Sequence, residues 1–192
     1  MNIAKTIEDA IAVKQLMRSD SVLHDIIQEA AEVCIKTFEQ KGKVLLCGNG
    51  GSAADAQHIA AELSGRFYYD RDPLYAEALH VNTSYVTAVA NDYAYDEIYA
   101  RMVKAAGRQG DVLIGLSTSG NSANVIKAFD QARALGVTTI ALTGSMGGKL
   151  ASMADVAIKI PSDNTARIQE AHILVGHVIC EIIEQTLFPK ND

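Results

Sequence analysis

Short apolar runs at 43–47, 77–81, 112–117, 137–142 and 156–160 alternate with longer stretches whose apolar residues recur at helical spacing, and few architectures accept that alternation. Each run is bounded by glycine or polar turns, as buried strands are. The helical stretches between them cover 53–64, 84–106, 122–135 and 164–187. Strands joined through helices form right-handed crossovers in a parallel sheet. The predicted class is therefore α/β, a five-stranded parallel sheet flanked by helices in a three-layer, flavodoxin- or Rossmann-like sandwich. Two helices precede it, at 3–17 (Ile7, Ala10, Ile11) and 22–39 (Leu23, Ile26, Ile27, Ala30, Ala31), with Ser19, Asp20 and Ser21 as stop and cap.

The 192 residues suit one domain spanning 1–192. The helix at 164–187 is apolar on more than one face, through Ile168, Ala171, Ile173, Leu174, Val175, Val178, Ile179, Ile182, Ile183 and Leu187. A lone domain buries one stripe of about 100°. Contact of this helix with a second subunit is therefore predicted, and residues 1–40 are read as oligomerisation helices.

Function should lie where chain leaves the carboxyl ends of the strands. After the run at 112–117 comes Ser117-Thr118-Ser119-Gly120-Asn121-Ser122, and then a helix. Free N–H groups at a helix start carry about half a positive charge, and hydroxyls donate to the same oxygens, so this turn suits a phosphate. Lys127 is the first basic residue after Asp111, so no lysine is needed in the turn. A capping role for Ser119 or Ser122 is the plainer alternative.

The first run ends in Gly48-Asn49-Gly50-Gly51-Ser52-Ala53, where glycine lets backbone approach a ligand and Ser52 with Asp55 resembles a capping box. These letters also satisfy GxGxxA. A dinucleotide site would want an acid near the end of the second strand, where Leu79-His80-Val81-Asn82-Thr83 stands instead, and no lysine-bearing Walker loop is present.

His58 and Glu62, four residues apart on one helix, share a face and can exchange a proton with a ligand or hold a divalent ion. Gln169, His172 and His177 interrupt the apolar surface of the last helix, where polar groups must find partners. The net charge of −6, with scattered lysines and arginines, argues against a nucleic-acid backbone as ligand. Cys34, Cys47 and Cys180 form no CxxC pair and read as buried thiols of a reducing compartment. Glu8 and Asp9 fall where a signal peptide would be apolar, and no run approaches the ~20 residues of a membrane span, so a cytoplasmic, membrane-free protein is expected.

Several of these segments together resemble the phosphoheptose isomerases of the sugar-isomerase (SIS) superfamily, nearly end to end. They are Cys47 to Ser52, the His58–Glu62 pair followed by Arg66, Ala90-Asn91-Asp92, Ser117 to Val125, and Arg167-Ile168-Gln169-Glu170 leading to His177. The resemblance implies a SIS-type fold and conversion of sedoheptulose 7-phosphate to D-glycero-D-manno-heptose 7-phosphate, the first step of heptose supply for lipopolysaccharide. It implies a homotetramer with active sites between subunits. Glu62 would be the base and His177 the acid. Asn49, Gly50, Gly51, Ser52, Glu62, Asn91, Asp92, Ser117, Thr118, Ser119, Ser122 and Gln169 would meet substrate, and zinc would sit on His58, Glu62, Gln169 and His177.

Gln169 and His177 are about 12 Å and about 80° apart on a straight helix, far for two ligands at about 2 Å from one ion. At least one of the four groups is therefore expected to come from a neighbouring subunit. Some family members carry aspartate where this chain has Ala166, so the resemblance supplies no auxiliary acid there. The ending Thr186-Leu187-Phe188-Pro189 also resembles a non-catalytic relative that binds the bacterial replication initiator, which lacks counterparts of Glu62 and His177; both are present here.

Overall fold

The computed structural model describes residues 2–190, so the first residue and the last two of the 1–192 span lie outside it. Helices α1 (Ile3–Ser19) and α2 (Ser21–Glu39) lead into β1 (Val44–Gly48), α3 (Gly51–Ser64), β2 (Ala76–Ala78) and α4 (Thr83–Asp92). Then follow α5 (Ile98–Ala106), β3 (Val112–Ser117), α6 (Ala123–Ala134), β4 (Thr138–Thr143), α7 (Gly148–Met153), β5 (Val156–Lys159) and α8 (Thr165–Leu187). Asp20 ends α1 and caps α2, its carboxylate accepting the Leu23 N–H at 3.0 Å, and Asn164 opens α8 in the same manner.

All five strands are parallel, in the order β2-β1-β3-β4-β5. β1 and β3 are buried from end to end, which is why they read as unbroken apolar runs. Alternate side chains feed two cores: Val44, Leu46, Ile114 and Leu142 pack towards α2, α3 and α8, while Leu45, Cys47, Leu113 and Ala141 pack towards α4, α5 and α6. All three cysteines are buried and unpaired, and burial pushes the Cys34 thiol up to about 12.

Two predicted elements need correction, and one helix was not foreseen. The stretch 84–106 is not one helix: α4 ends at Asp92, a 3-10 turn covers Tyr95–Glu97, and α5 starts at Ile98. Tertiary bonds hold that break, because the Tyr95 hydroxyl donates to Asn49 Oδ1 at 3.1 Å and Lys127 pairs with Glu97 at 2.6 Å. The edge strand β2 is shorter than 77–81. Helix α7 was hidden in the glycine-rich letters at 147–148.

In a sheet ordered 2-1-3-4-5, the chain leaves β1 and β3 towards opposite faces, and the crevice between them is where ligands bind. The turns after those strands are Gly48 to Ala53 and Ser117 to Ser122, so this topology sets the glycine turn and the serine turn side by side.

Candidate active site

In the serine turn, Ser122 is the N-cap of α6 but makes no side-chain capping bond. Its hydroxyl meets that of Ser117 at 2.9 Å instead, so capping does not explain these serines. Among the described residues, no acceptor meets the backbone N–H of Ser119, Ser122, Ala123 or Asn124, so these donors remain for an anion. Lys127 is committed to Glu97 and adds no free cation. Gly120 has φ +66°, and a Cβ there would collide with the Gly147 carbonyl. Leu150 N–H bonds the Gly120 carbonyl at 2.9 Å and Lys149 N–H bonds Asn121 Oδ1 at 3.0 Å. The unforeseen α7 thus braces the serine turn from behind.

The glycine turn forms no capping box: Gly50 is the N-cap of α3, no side chain caps it, Ser52 is buried, and Asp55 Oδ2 is buried without a partner. Burial raises the Asp55 carboxyl above its ordinary pKa, an effect the nearby His58 opposes. Asn49 is anchored across the crevice, its Nδ2 donating to Asn124 Oδ1 at 2.8 Å. Gln169 lies against this turn, since a Cβ at Gly51 would stand 2.6 Å from its Nε2.

Along α3 and α8, which pack closely enough that a Cβ at Gly176 would stand 2.5 Å from Ile59 Cδ1, the imidazoles meet. His58 Nε2 is 3.0 Å from His177 Nε2 and 3.1 Å from Glu62 Oε1. One ligand atom from each of the three lies within 4.8 Å of the others. A single proton on His58 Nε2 cannot serve both partners, whereas a cation between two imidazole nitrogens and a carboxylate oxygen would satisfy all three. That donor set suits zinc. Gln169 does not join them within the chain: it sits at Gly51, about 10 Å along α3 from His58.

The remaining candidates are dispersed. Asn91 and Asp92 are exposed at the end of α4 and bond to each other at 2.9 Å. Thr118 is half-buried and Ser119 exposed, its Oγ accepting the Asn121 N–H at 3.2 Å. His172 turns away from the site into the core, with Nε2 at 3.2 Å from the Thr143 carbonyl, and burial lowers its pKa to about 4.

Several supporting residues escaped the sequence reading. The Phe67 ring packs on His177, with centroids 5.6 Å apart. Glu184, one turn pair beyond His177 on the same face of α8, accepts the Phe67 and Tyr68 N–H groups at 3.0 and 2.8 Å. Arg71 donates to the Glu62 carbonyl at 2.8 Å and the Leu63 carbonyl at 2.9 Å, closing the end of α3. The available signal was the spacing of Glu184, seven residues after His177 and so on the same face of α8.

The SIS domain profile matches residues 10–144. A phosphoheptose isomerase of Sulfurimonas denitrificans is 49% identical over 186 residues, 97% of this chain and 95% of its own length. The chain belongs to the phosphoheptose isomerase family of SIS-domain proteins. Its fold matches the solved phosphoheptose isomerase of Neisseria gonorrhoeae with a TM-score of 0.89 at 46% identity, covering 95% of this chain and 97% of that one. The Francisella tularensis phosphoheptose isomerase gives 0.91 at 40% identity, covering 95% and 96%. Relatives and fold thus agree on the family.

Proposed function

We propose that this chain is an aldose–ketose isomerase that converts sedoheptulose 7-phosphate to D-glycero-D-manno-heptose 7-phosphate. The carrying observation is the convergence of Glu62 and His177, within 4.8 Å, on helices that start beside two donor-rich turns. The serine turn binds the phosphate, and the glycine turn meets the sugar chain through its backbone. Glu62 takes a proton from C1 of the ketose while His177 protonates the C2 carbonyl oxygen, giving an enediol. Loss of the O1 proton and return of a proton to C2 then yield the aldehyde, with no net redox change. Each such proton-transfer group is worth about 10²- to 10⁴-fold.

Zinc fits the trio His58, Glu62 and His177, and bound there it would stabilise negative charge on the substrate oxygens. The position of Gln169 at Gly51 supports a fourth ligand supplied by a neighbouring subunit. An open groove of about 410 Å³ lined by Met17, Leu23, Ile27, Leu174, Val178 and Ile182, together with exposed Ile3, Ile7 and Ile11, supports assembly through residues 1–40 and α8. We read the 1–192 chain as one functional unit, working as a homotetramer with sites at its interfaces, on no nucleic acid and at no membrane. No helix among the described residues is long and apolar enough to cross a bilayer. The buried free thiols support a cytoplasmic place in heptose supply for lipopolysaccharide.

The adaptor alternative, to which the ending Thr186–Pro189 points, has no use for a convergent carboxylate and imidazole and is not favoured. Incubating the protein with sedoheptulose 7-phosphate, with and without a chelator, and following aldose formation tests the reading. Aldose formation is expected, and its absence from zinc-loaded protein contradicts the proposal.

A further inference from the structure

Asn124 lies in the first turn of α6 and is only 2% exposed. Its amide faces that of Asn49 across the crevice, 75 residues away in sequence, in a reciprocal pair: Asn49 Nδ2 donates to Asn124 Oδ1, and Asn124 Nδ2 donates to Asn49 Oδ1, both at 2.8 Å. Each oxygen has a second donor, the Val125 N–H at 3.0 Å on Asn124 and the Tyr95 hydroxyl at 3.1 Å on Asn49. Strand pairing between β1 and β3 stops at Gly48 and Leu116. Beyond that point, among the described residues, no other hydrogen bond joins the glycine turn to the serine turn.

A residue that only capped α6 would use its oxygen on Val125 and point its nitrogen anywhere. Here the nitrogen is spent on the opposite loop, and the Asn49 amide is held by three hydrogen bonds, two to Asn124 and one from Tyr95. We infer that Asn124 is a positioning residue: acting through Asn49, it sets the separation between the serine turn and the glycine turn, and so the reach required of a ligand that touches both. The inference rests on the isomerase reading for which ligand that is.

The physical consequence separates two kinds of ligand. Inorganic phosphate needs the serine turn alone. A sugar phosphate must also meet the glycine turn, and α3 starts at Gly51 and carries His58 and Glu62, so a shifted turn misplaces both backbone and base. Loosening the Asn pair should therefore weaken the long ligand selectively.

The test uses the full-length protein with Asn124→Ala, Asn49→Ala and the double variant, with thermal midpoints measured alongside. For each, KM and kcat for sedoheptulose 7-phosphate are compared with the competitive Ki of inorganic phosphate. Losing one buried hydrogen-bonded partner is worth about 1–1.5 kcal/mol, so KM should rise about tenfold while the phosphate Ki stays within about twofold. The double variant should be no worse than Asn49→Ala alone, because Asn124 acts only through Asn49. If Asn124→Ala does not fold, Asn124→Ser, whose hydroxyl can still accept from Val125, takes its place in the comparison. KM and Ki rising together, unchanged KM, or additive effects would each overturn the inference. Should the unmodified protein fail to turn over, the isomerase reading fails separately, and calorimetric titration of the same two ligands decides whether the selective loss exists.

Discussion

Arg71 and Glu184 form an ion pair sealed in the interior, Nε to Oε1 3.1 Å, with side chains 2% and 1% exposed. The pair ties the end of α3 to the far half of α8, and the loop it clamps carries Phe67 onto His177. A buried charge survives only when paired and hydrogen-bonded, and here the carboxylate accepts two further N–H groups while the guanidinium reaches the carbonyls of Glu62 and Leu63.

Arg71→Met strands that carboxylate and should cost about 3–5 kcal/mol, whereas Lys127→Ala, which breaks a solvent-exposed pair, should cost far less. Urea unfolding of the two variants measures the difference. Equal losses would remove the buried pair from any part in holding the site.

Gly120→Ala combines a left-handed backbone with a collision at the Gly147 carbonyl, while a Cβ at Gly110, at φ +89°, would meet only Gln40 Oε1 at an ordinary contact distance of 3.9 Å. Gly110→Ala should therefore show only the backbone cost of about 1–2 kcal/mol. Gly120→Ala should lose more stability and also inorganic phosphate binding, measurable by calorimetry. Full phosphate affinity in Gly120→Ala would mean that the serine turn is not the phosphate site.

The sequence carried the fold because β1, β3 and β4 are buried on both faces, which leaves a run of letters that little else produces. It carried the two turns because glycine and serine clusters follow strands for physical reasons legible one residue at a time. What it concealed depends on distant partners. The break at Tyr93 and Ala94 has no glycine or proline to announce it and is held by Asn49 and Lys127. Helix α7 has only six residues and opens on Gly147 and Gly148, both in left-handed backbone, so no helical period announced it. The Arg71–Glu184 and Asn49–Asn124 pairs span 113 and 75 residues, and no local pattern encodes them. His172 and His177 looked alike in sequence, and only packing shows that one faces the core and the other faces His58.

His172 should make the protein acid-sensitive. Its folded pKa of about 4 lies below the ordinary 6.5, so the unfolded chain takes up the proton first as pH falls. Stability is full above about pH 6.5 and declines through the window down to about 4, by a total on the order of 3 kcal/mol. His172→Leu should flatten that part of the pH–stability curve while changing little at pH 7.5, because the Thr143 carbonyl still accepts the Ile160 N–H at 2.9 Å. An unchanged acid slope would contradict the assignment.

Metal analysis provides a further check. Protein purified with zinc should retain it, and His58→Ala should lose it, since one of the converging nitrogens is gone. Undiminished zinc in His58→Ala would place the ion elsewhere.

The most direct measurement compares Glu62→Gln with the unmodified protein on sedoheptulose 7-phosphate. Turnover should fall by about 10²- to 10⁴-fold or more, with inorganic phosphate binding kept, because the serine turn is untouched. A Glu62→Gln variant that isomerises at the unmodified rate would contradict the account at its centre.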